Sequence, residues 1–466
     1  MADSVLAVVL AAGEGKRMKS RLPKVLHQVC GRPMIDYVVQ ATKEAGIEKI
    51  IMIINREGEA IKETLGDAVQ YVYQQERLGT GHAVLQSKNV IMPEIDTVLV
   101  LSGDTPLLTA QLLVKLLATH REAKAAATVV TTKLAEPGGY GRIIRDEKGY
   151  IVRIVEEADA TGAEKEICEV NAGVYAFARE YLFPALERIN PTNEQGEYYL
   201  TDVLGLFWEQ GLKVAGTVAD YKTVLGVNNR KQLAEVEQLM RRKIRDQLMV
   251  NGVTLIDPAS TFIDATVAIG RDTVIYPYTI ITGKTVIGEN CTIGPFTQVR
   301  SSKVEDCAVV ENSVIVDCHV GLNAKVGPYA YLRPGATLHT GAKAGTFVEI
   351  KKSIIGENSK VPHLSYVGDT IIAADVNIGA GTITCNYDGF AKHQTIIDTG
   401  AFIGSNTNLV APVRIGKRAI TGAGSTIVKD VPDYALGLER AQQITVKDWM
   451  KKKLREKGCP VEDEDK

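Results

Sequence analysis

The sequence predicts an α/β domain, a connecting helix and a parallel β-helix of hexapeptide repeats, and three observations predict them. Up to residue 229, short unbroken apolar runs at 5–10, 49–54 and 97–101 alternate with helical patterns such as 34–45 and 81–88. Unbroken rather than alternating apolar strands, with helices between them, indicate a parallel sheet covered on both faces. Residues 230–250 set Leu233, Val236, Met240, Ile244 and Leu248 at three- and four-residue spacing, one face of a helix. From residue 251 onward the beat changes to six: Ile269, Ile275, Ile281, Ile287, Ile293 and Val299. That period fits neither a helix nor a plain strand, and it matches a coil whose sides are short strands.

Within the first segment, strand 5–10 runs into Leu10-Ala11-Ala12-Gly13-Glu-Gly15-Lys16-Arg17, followed by Pro23-Lys24. A glycine turn after the first strand of an α/β sheet lets backbone approach a ligand, and its amides can face phosphate. The loop is neither a Walker A loop nor a three-glycine dinucleotide fingerprint. Arg17 and Lys24 sharpen the reading, because two cations beside a glycine loop suit a triphosphate from which pyrophosphate departs. Downstream come Gln74 with Gly79-Thr80, then Ser102-Gly103-Asp104 after a strand, then Gly139-Tyr-Gly141-Arg142. Asp104 stands at the C-terminal end of its strand, where open α/β sheets bind ligands, and a carboxylate there suits Mg²⁺.

On the helix, Arg241, Arg242, Lys243 and Arg245 are expected to form a solvated face. In the solenoid the beat of six returns at Val314, Val320, Val326, Leu332, Leu338 and Ala344, at Ile355, Val361 and Val367, and from Ile403 through Leu409, Ile415, Thr421 and Ile427. Glycines follow many of these residues, among them Gly288, Gly321 and Gly404, where a corner is expected to need a permissive backbone. His363 falls two places after Val361, off the inward position, so its imidazole should point outward. A Lys-rich tail closes the segment 251–466, and its acidic end is expected to be disordered.

With 466 residues the chain has room for two or three full cores, and a net charge of −2 gives no general pull toward nucleic acid or anionic membrane. Seven cysteines are scattered without Cys-x-x-Cys or Cys/His spacing, which argues for reduced thiols and against structural zinc. The N-terminus begins with an acid and lacks a signal-peptide pattern, and no stretch of 18 apolar residues occurs, so a soluble cytoplasmic protein is expected.

The glycine-rich motif with Pro23-Lys24, and the segments after it, resemble sugar-1-phosphate nucleotidylyltransferases. Together with Arg333-Pro-Gly335, His363-Leu-Ser-Tyr366 and Cys385-Asn-Tyr-Asp-Gly389, the chain to about residue 445 resembles the bifunctional glucosamine-1-phosphate N-acetyltransferase and N-acetylglucosamine-1-phosphate uridylyltransferase family. The resemblance implies a Rossmann-like nucleotidylyltransferase domain over 1–229, a linker helix over 230–250 and a left-handed β-helix over 251–466. It implies that Leu10, Ala11, Ala12, Gly13, Gln74, Gly79 and Thr80 surround uracil and ribose, with Ser102 and Gly103 nearby, and that Lys24 and Arg17 face the phosphates. Gly141, Glu156 and Asn171 would hold the sugar, and Asp104 with Asn228 would hold Mg²⁺.

In the solenoid the resemblance makes His363 the general base for attack of the substrate amine on acetyl-CoA. It assigns Arg333, Lys351, Tyr366, Asn377, Asn386 and Tyr387 to the amino-sugar phosphate, and Ala380, Ser405, Ala423 and Arg440 to acetyl-CoA. A backbone amide near Ala380 would be the oxyanion donor. UTP and acetyl-CoA are the implied co-substrates, a homotrimer the implied assembly, and peptidoglycan and lipopolysaccharide precursors the implied destination. Lys16, Thr346 and Thr421 depart from the family pattern; Lys16 adds a cation beside the phosphates, and Thr421 takes an inward position that suits Ile or Val. Two rivals remain: a single-function sugar nucleotidylyltransferase with a non-catalytic β-helix, which gives the His363 constellation no purpose, and a nucleotide-exchange-type translation subunit, in which the catalytic cations would be absent.

Overall fold

The computed structural model describes residues 4–56 and 58–461. The acidic N-terminal residue and the polar end at 462–466 lie outside the described residues. The chain divides into two compact units, one of residues 1–250 with 263–267 and one of 251–262 with 268–466.

The first unit is built on a nine-stranded sheet: β1 (Val5–Leu10), β2 (Ile50–Ile54), β3 (Gln70–Tyr73), β4 (Thr97–Ser102), β5 (Ala127–Lys133), β6 (Arg142–Arg145), β7 (Ile151–Val155), β8 (Glu169–Ala178) and β9 (Val214–Val218). Its order is β9-β5-β8-β4-β1-β2-β3, with β6 pairing both β8 and β7 off that path. Leu6 and Val8 of β1 enter one buried cluster, with Val98 and Val100 of β4, while Ala7 and Val9 enter the cluster on the opposite face with Leu99 and Leu101. Burial on both faces is why these strands read as unbroken apolar runs.

The sheet is mixed, which corrects the expectation of a parallel one: β8 runs antiparallel to both β4 and β5. Its inner stretch, Val174 to Phe177, is buried throughout, so an antiparallel insertion leaves the same unbroken apolar signature as a parallel strand. Helices cover the sheet, among them α1 (Met34–Glu44), α2 (Thr80–Leu85) and α3 (Ala110–Ala123). The basic helix α4 (Arg230–Val250) packs Val236 and Met240, with Leu233 and Ile244, against Met18, Val29, Met34 and Val227 of the first unit. Arg241 and Arg242 pair along the helix with Glu237 and Asp246.

The second unit stacks strands of two to four residues into three parallel sheets of 11, 10 and 9 strands, each strand pairing with the third one along the chain until the final pair, Ile420–Thr421 with Leu436–Gly437. This is the three-sided coil that the period predicts. Ile275, Ile281, Ile293, Val299, Val320, Leu332, Leu338, Ala344, Ile355, Val361, Ile403, Leu409 and Ile415 are all fully buried. The coils are not uniform: Ile275 pairs with Ile293, Ile287 with Val304 and Val299 with Ile315, so some sides hold five residues. Val314 is therefore half-buried and Ile315 is the inward residue, a shift of one place from the expected frame. Ile372 pairs with Ile397, because a loop at 386–393 is let out between them.

The glycines after the inward residues serve two ends. Gly294 and Gly327 take the positive φ expected of them, +102° and +106°. Gly321 does not, and a Cβ there would meet the Leu338 carbonyl oxygen at 2.7 Å, so it is the approach of the next coil that excludes a side chain. Other left-handed corners fall on residues such as Asp272, Asn290, Asn323 and Asn358, whose short side chains tolerate that region. Thr421, at its inward position, is 1 % exposed, and its hydroxyl accepts the Gly404 N–H at 3.0 Å. Cys291 and Cys318 fill small buried corners two places before inward residues, and all seven cysteines are free.

Candidate active sites

At the C-terminal ends of β1 and β4 a cleft of about 640 Å³ is lined by Leu10, Ala11, Ala12, Gly13, Arg17, Lys24, Gln74, Gly79, Thr80, Ser102, Asp104 and Asn228. The parallel pairing of β1 with β4 delivers Leu10 and Ser102 side by side, and the Gly103 N–H donates to the Leu10 carbonyl at 3.0 Å. Gly103 is needed there, since a Cβ would meet that carbonyl at 3.0 Å and Ile35 at 2.7 Å. A Cβ on Gly13 would meet nothing within 4 Å; its bare backbone faces open cleft. Gln74 is buried, held by its amide to the Gly79 carbonyl at 3.1 Å, and the Thr80 hydroxyl accepts the Leu200 N–H at 3.0 Å.

Charge converges at one end. Lys24 pairs with Asp104 and donates to Asn228 Oδ1 at 3.2 Å, and Arg17 donates to the same oxygen at 3.0 Å. Asp104 is thus no helix cap; Thr109 caps α3. The two oxygens proposed from the sequence for Mg²⁺ meet at one cation, the Lys24 ammonium, so the donor set fits a hard cation. Among the described residues no three His, Cys, Asp or Glu side chains gather in a metal-binding array. That leaves the coordination sphere to be completed by phosphate oxygens and water, which is how Mg²⁺ is usually held. Lys16 lines the cleft as well, paired with Glu14 at 3.3 Å and 80 % exposed. Arg77, which the sequence did not single out, also lines the cleft and pairs with Glu14 at 3.1 Å.

Gly141, Glu156 and Asn171 meet beside this end of the sheet. The Asn171 N–H donates to the Gly141 carbonyl at 2.8 Å, and a Cβ on Gly141 would approach Glu156 Oε2 to 3.2 Å. Glu156 accepts the Thr201 hydroxyl at 3.1 Å; burial, and after it the Asp202 and Asp159 carboxylates, raise its pKa above the usual carboxylate range.

The second constellation lies on the outside of the coil. His363 ends strand Lys360–His363, exposed as expected, and is in register with Thr346 of the preceding coil. The next coils stack Ala380, Ser405 and Ala423 along the same corner: the Gly381 N–H donates to the His363 carbonyl, the Asn406 N–H to that of Ala380, and the Gly424 N–H to that of Ser405. Arg440 reaches the top of this column through the Ala423 carbonyl at 3.1 Å. Lys351 and Tyr366 lie on successive strands of the adjoining sheet, Arg333 directly follows the strand before them, and Arg333 pairs with Glu349 at 2.7 Å. Asn386 donates to Asp369 at 2.5 Å, and its amide and the Tyr366 hydroxyl both crowd Gly368. Tyr387 is exposed on the let-out loop, while Asn377 stands apart on the His363 sheet, in register with Lys360.

Lys392, on that loop, is a residue the sequence reading missed. It lies against Lys351 and, ahead of burial and Arg333, holds the Lys351 pKa below the usual lysine range. Arg333 is paired with Glu349 and Asp369 stands near Lys351, but Lys351 and Lys392 face each other, a cluster of positive charge that suits an anion. The signal that pointed there was the break in the hexad frame, which marks an inserted loop.

Comparison with known proteins agrees with this two-part layout. The nucleotidyl transferase family matches residues 6–243, and the bacterial transferase hexapeptide (six repeats) family matches residues 266–301. The bifunctional protein GlmU of Heliobacterium modesticaldum is 54 % identical over 94 % of this chain and 95 % of its own length. Those of Syntrophomonas wolfei and Halalkalibacterium halodurans are 51 % and 48 % identical, over 94 % and 96 % of this chain and 98 % of their own lengths. A nucleotidyl transferase unit followed by a left-handed hexapeptide β-helix, alike along nearly its whole length to these relatives, belongs to the GlmU family of bifunctional enzymes.

Proposed function

We propose that the chain divides its two reactions between these two constellations. It acetylates glucosamine-1-phosphate from acetyl-CoA, then transfers UMP from UTP to N-acetylglucosamine-1-phosphate, giving UDP-N-acetylglucosamine for cell-wall precursor synthesis. A cytoplasmic location suits both soluble substrates, and no helix among the described residues is long and apolar enough to cross a membrane.

For uridylyl transfer, the observation that carries the assignment is the meeting of Arg17, Lys24, Asp104 and Asn228 at one end of the glycine-lined cleft. The glycine loop and Gln74 take the base and ribose, and Gly141, Glu156 and Asn171 orient the sugar so that its phosphate oxygen faces the α-phosphorus. Lys24 and Arg17 offset charge on the transferring group and on departing pyrophosphate. A Mg²⁺ ion held by Asp104 and Asn228 supplies further charge stabilisation to the phosphates when bound. Lys24, now paired with Asp104, would turn toward the nucleotide phosphates where Asp104 held such an ion. No protein nucleophile takes part.

For acetyl transfer, Arg333, Lys351 and Lys392 hold the phosphate, and Tyr366 and Asn386 the sugar. His363 takes the proton that the amine sheds as it attacks the thioester carbonyl, and an imidazole is suited to that task near neutral pH. Ala380, Ser405, Ala423 and Arg440 line the path of acetyl-CoA. Three chains associate in this reading and Asn377 joins from a neighbour. The support is an apolar stripe next to His363: Tyr278, Phe296, Tyr329, Phe347 and Leu364 are each more than half exposed along one corner, with ring pairs stacked at 5.0 and 5.4 Å.

The test supplies acetyl-CoA, UTP and Mg²⁺ with either sugar phosphate, and follows CoA and pyrophosphate separately. Both products are expected, with His363→Ala removing CoA release but not pyrophosphate release from N-acetylglucosamine-1-phosphate. Pyrophosphate alone would make the β-helix a scaffold. Diluting the enzyme through its dissociation range, with mass read by light scattering, should extinguish acetyl transfer and spare uridylyl transfer; a fully active monomeric acetyltransferase would remove the trimer from the reading.

A further inference from the structure

Arg142 is among the most completely buried side chains of the chain, 2 % exposed, and its Nε has no partner in the described residues. A buried guanidinium with an unsatisfied donor is a poor source of stability, because an apolar side chain of similar volume would serve the core better. Its position offers another reason. Arg142 opens β6 and pairs with Val155 of β7 and Val170 of β8. The residue before it is Gly141, the one after Val155 is Glu156 and the one after Val170 is Asn171. All three groups assigned to the sugar are therefore one residue away from the Arg142 backbone or its strand partners.

The side chain ties the same elements together. Its Nη1 donates to the Tyr140 carbonyl, its Nη2 pairs with Glu157 Oε2 at 2.7 Å and reaches the Lys165 carbonyl at 3.4 Å. Glu157 Oε2 in turn accepts the Gly139 N–H at 3.2 Å. The segment 138–141 needs such a tie: Gly139 has φ +83°, and a Cβ on Gly138 or Gly139 would touch nothing within 4 Å, so no packing fixes the loop there. The ion pair ties it down at Gly139 and Tyr140, beside the Tyr140 N–H bond to the Pro137 carbonyl at 3.3 Å and the Asn171 bond to the Gly141 carbonyl at 2.8 Å. The Arg142 guanidinium, first among the causes, and then the Gly139 N–H hold the Glu157 carboxyl below its usual range.

We propose that Arg142 and Glu157 form a positioning clamp that sets Gly141 and Glu156 for the sugar phosphate, and so governs affinity for that substrate alone. The proposal rests on the sugar reading of Gly141, Glu156 and Asn171 given above. Neither Arg142 nor Glu157 touches the reacting atoms.

Steady-state kinetics of the full-length enzyme test it. Glu157→Gln keeps a hydrogen-bond acceptor for Gly139 and removes the charge, and Arg142→Lys keeps a charge and removes the fork. Each is expected to raise KM for N-acetylglucosamine-1-phosphate roughly tenfold, the scale of one charge-assisted hydrogen bond. KM for UTP, kcat at saturation and CoA release in the acetyl reaction should hold within twofold. An unchanged sugar KM in Glu157→Gln overturns the clamp, as does an equal rise in both KM values, which would mean general loosening. Glu157 is part-exposed and Gln keeps an acceptor for both Arg142 and Gly139, and an unchanged UTP KM and CoA release in the same preparation report that the variant has folded. Glu156→Gln separates the two levels of inference: a raised sugar KM there with none in Glu157→Gln rejects the clamp and keeps the sugar reading, and no change in either rejects both.

Discussion

The two constellations are built on opposite plans. In the first unit, loops at the ends of β1 and β4 enclose a cleft, and every group assigned to uridylyl transfer comes from one sheet's edge and the start of α4. In the second, the same kinds of groups are strung along the outside of a rigid coil, one per turn, and the coil encloses nothing but its own side chains. A sheet edge concentrates many loops at one point; a coil repeats one position along a line. The first plan supplies a complete site from a single chain, and the second supplies a row of contacts that needs a facing surface to become a pocket.

The largest effects should fall on the single groups that each plan cannot duplicate. His363→Ala is expected to lower acetyl transfer about 10²- to 10⁴-fold, the usual range for a general base, with uridylyl transfer unchanged in the same preparation. Equal loss of both activities in CoA- and pyrophosphate-release assays would show that the sites are not independent. Lys24→Met is expected to lower uridylyl transfer about 10²- to 10³-fold, by analogy with removal of one preorganised charge-stabilising donor. Acetyl transfer should persist. The loss should be smaller than for His363, because Arg17 donates to the same Asn228 oxygen and remains.

Much of this was legible beforehand, and particular residues show why the rest was not. The period of six placed Ile293, Leu332 and Leu409 inward because a coil side has one inward position, and His363 outward because it lies two places on. The same count failed at Val314, since a side of five residues leaves no mark in a sequence read with a fixed step. The direction of β8 was not legible because burial on both faces erases the difference between parallel and antiparallel strands. Arg17, Lys24 and Asp104 were readable as charges near a glycine loop, but Arg77 and Lys392 were not, since each gains its neighbours only through a loop's path. Thr421 looked like a defect in an apolar row, and the structure turns it into a hydrogen-bond acceptor.

Thr421 gives a sharper contrast between the plans, because here the coil's stability is at stake rather than a reaction. Thr421→Val would restore the apolar row, and the buried Gly404 N–H would keep its bond to the backbone carbonyl of residue 421 at 3.1 Å while losing its second contact, to the hydroxyl, at 3.0 Å. No donor is orphaned, so the loss is that of one neutral hydrogen bond, about 0.5–1.5 kcal/mol, set against about 0.8 kcal/mol for one added buried methyl. Chemical denaturation of the β-helix should therefore show stability held within about 1 kcal/mol; a much larger loss would mean that the Thr421 hydroxyl, which also meets that of Thr407 at 3.3 Å, ties the corner together.

The smallest expected effect is a pH dependence of the outer constellation. Lys392, ahead of burial and Arg333, holds the Lys351 pKa below its ordinary value, so as pH rises Lys351 loses its proton before an ordinary lysine does. A phosphate bound by three cations then loses one of them on the alkaline side. KM for glucosamine-1-phosphate should climb with pH in that range. Lys392→Gln removes the main cause of the shift: KM should start higher at neutral pH, and its alkaline rise should move to higher pH. An alkaline rise that stays in place in this variant would assign the titration to another group and leave Lys351 with no part in it.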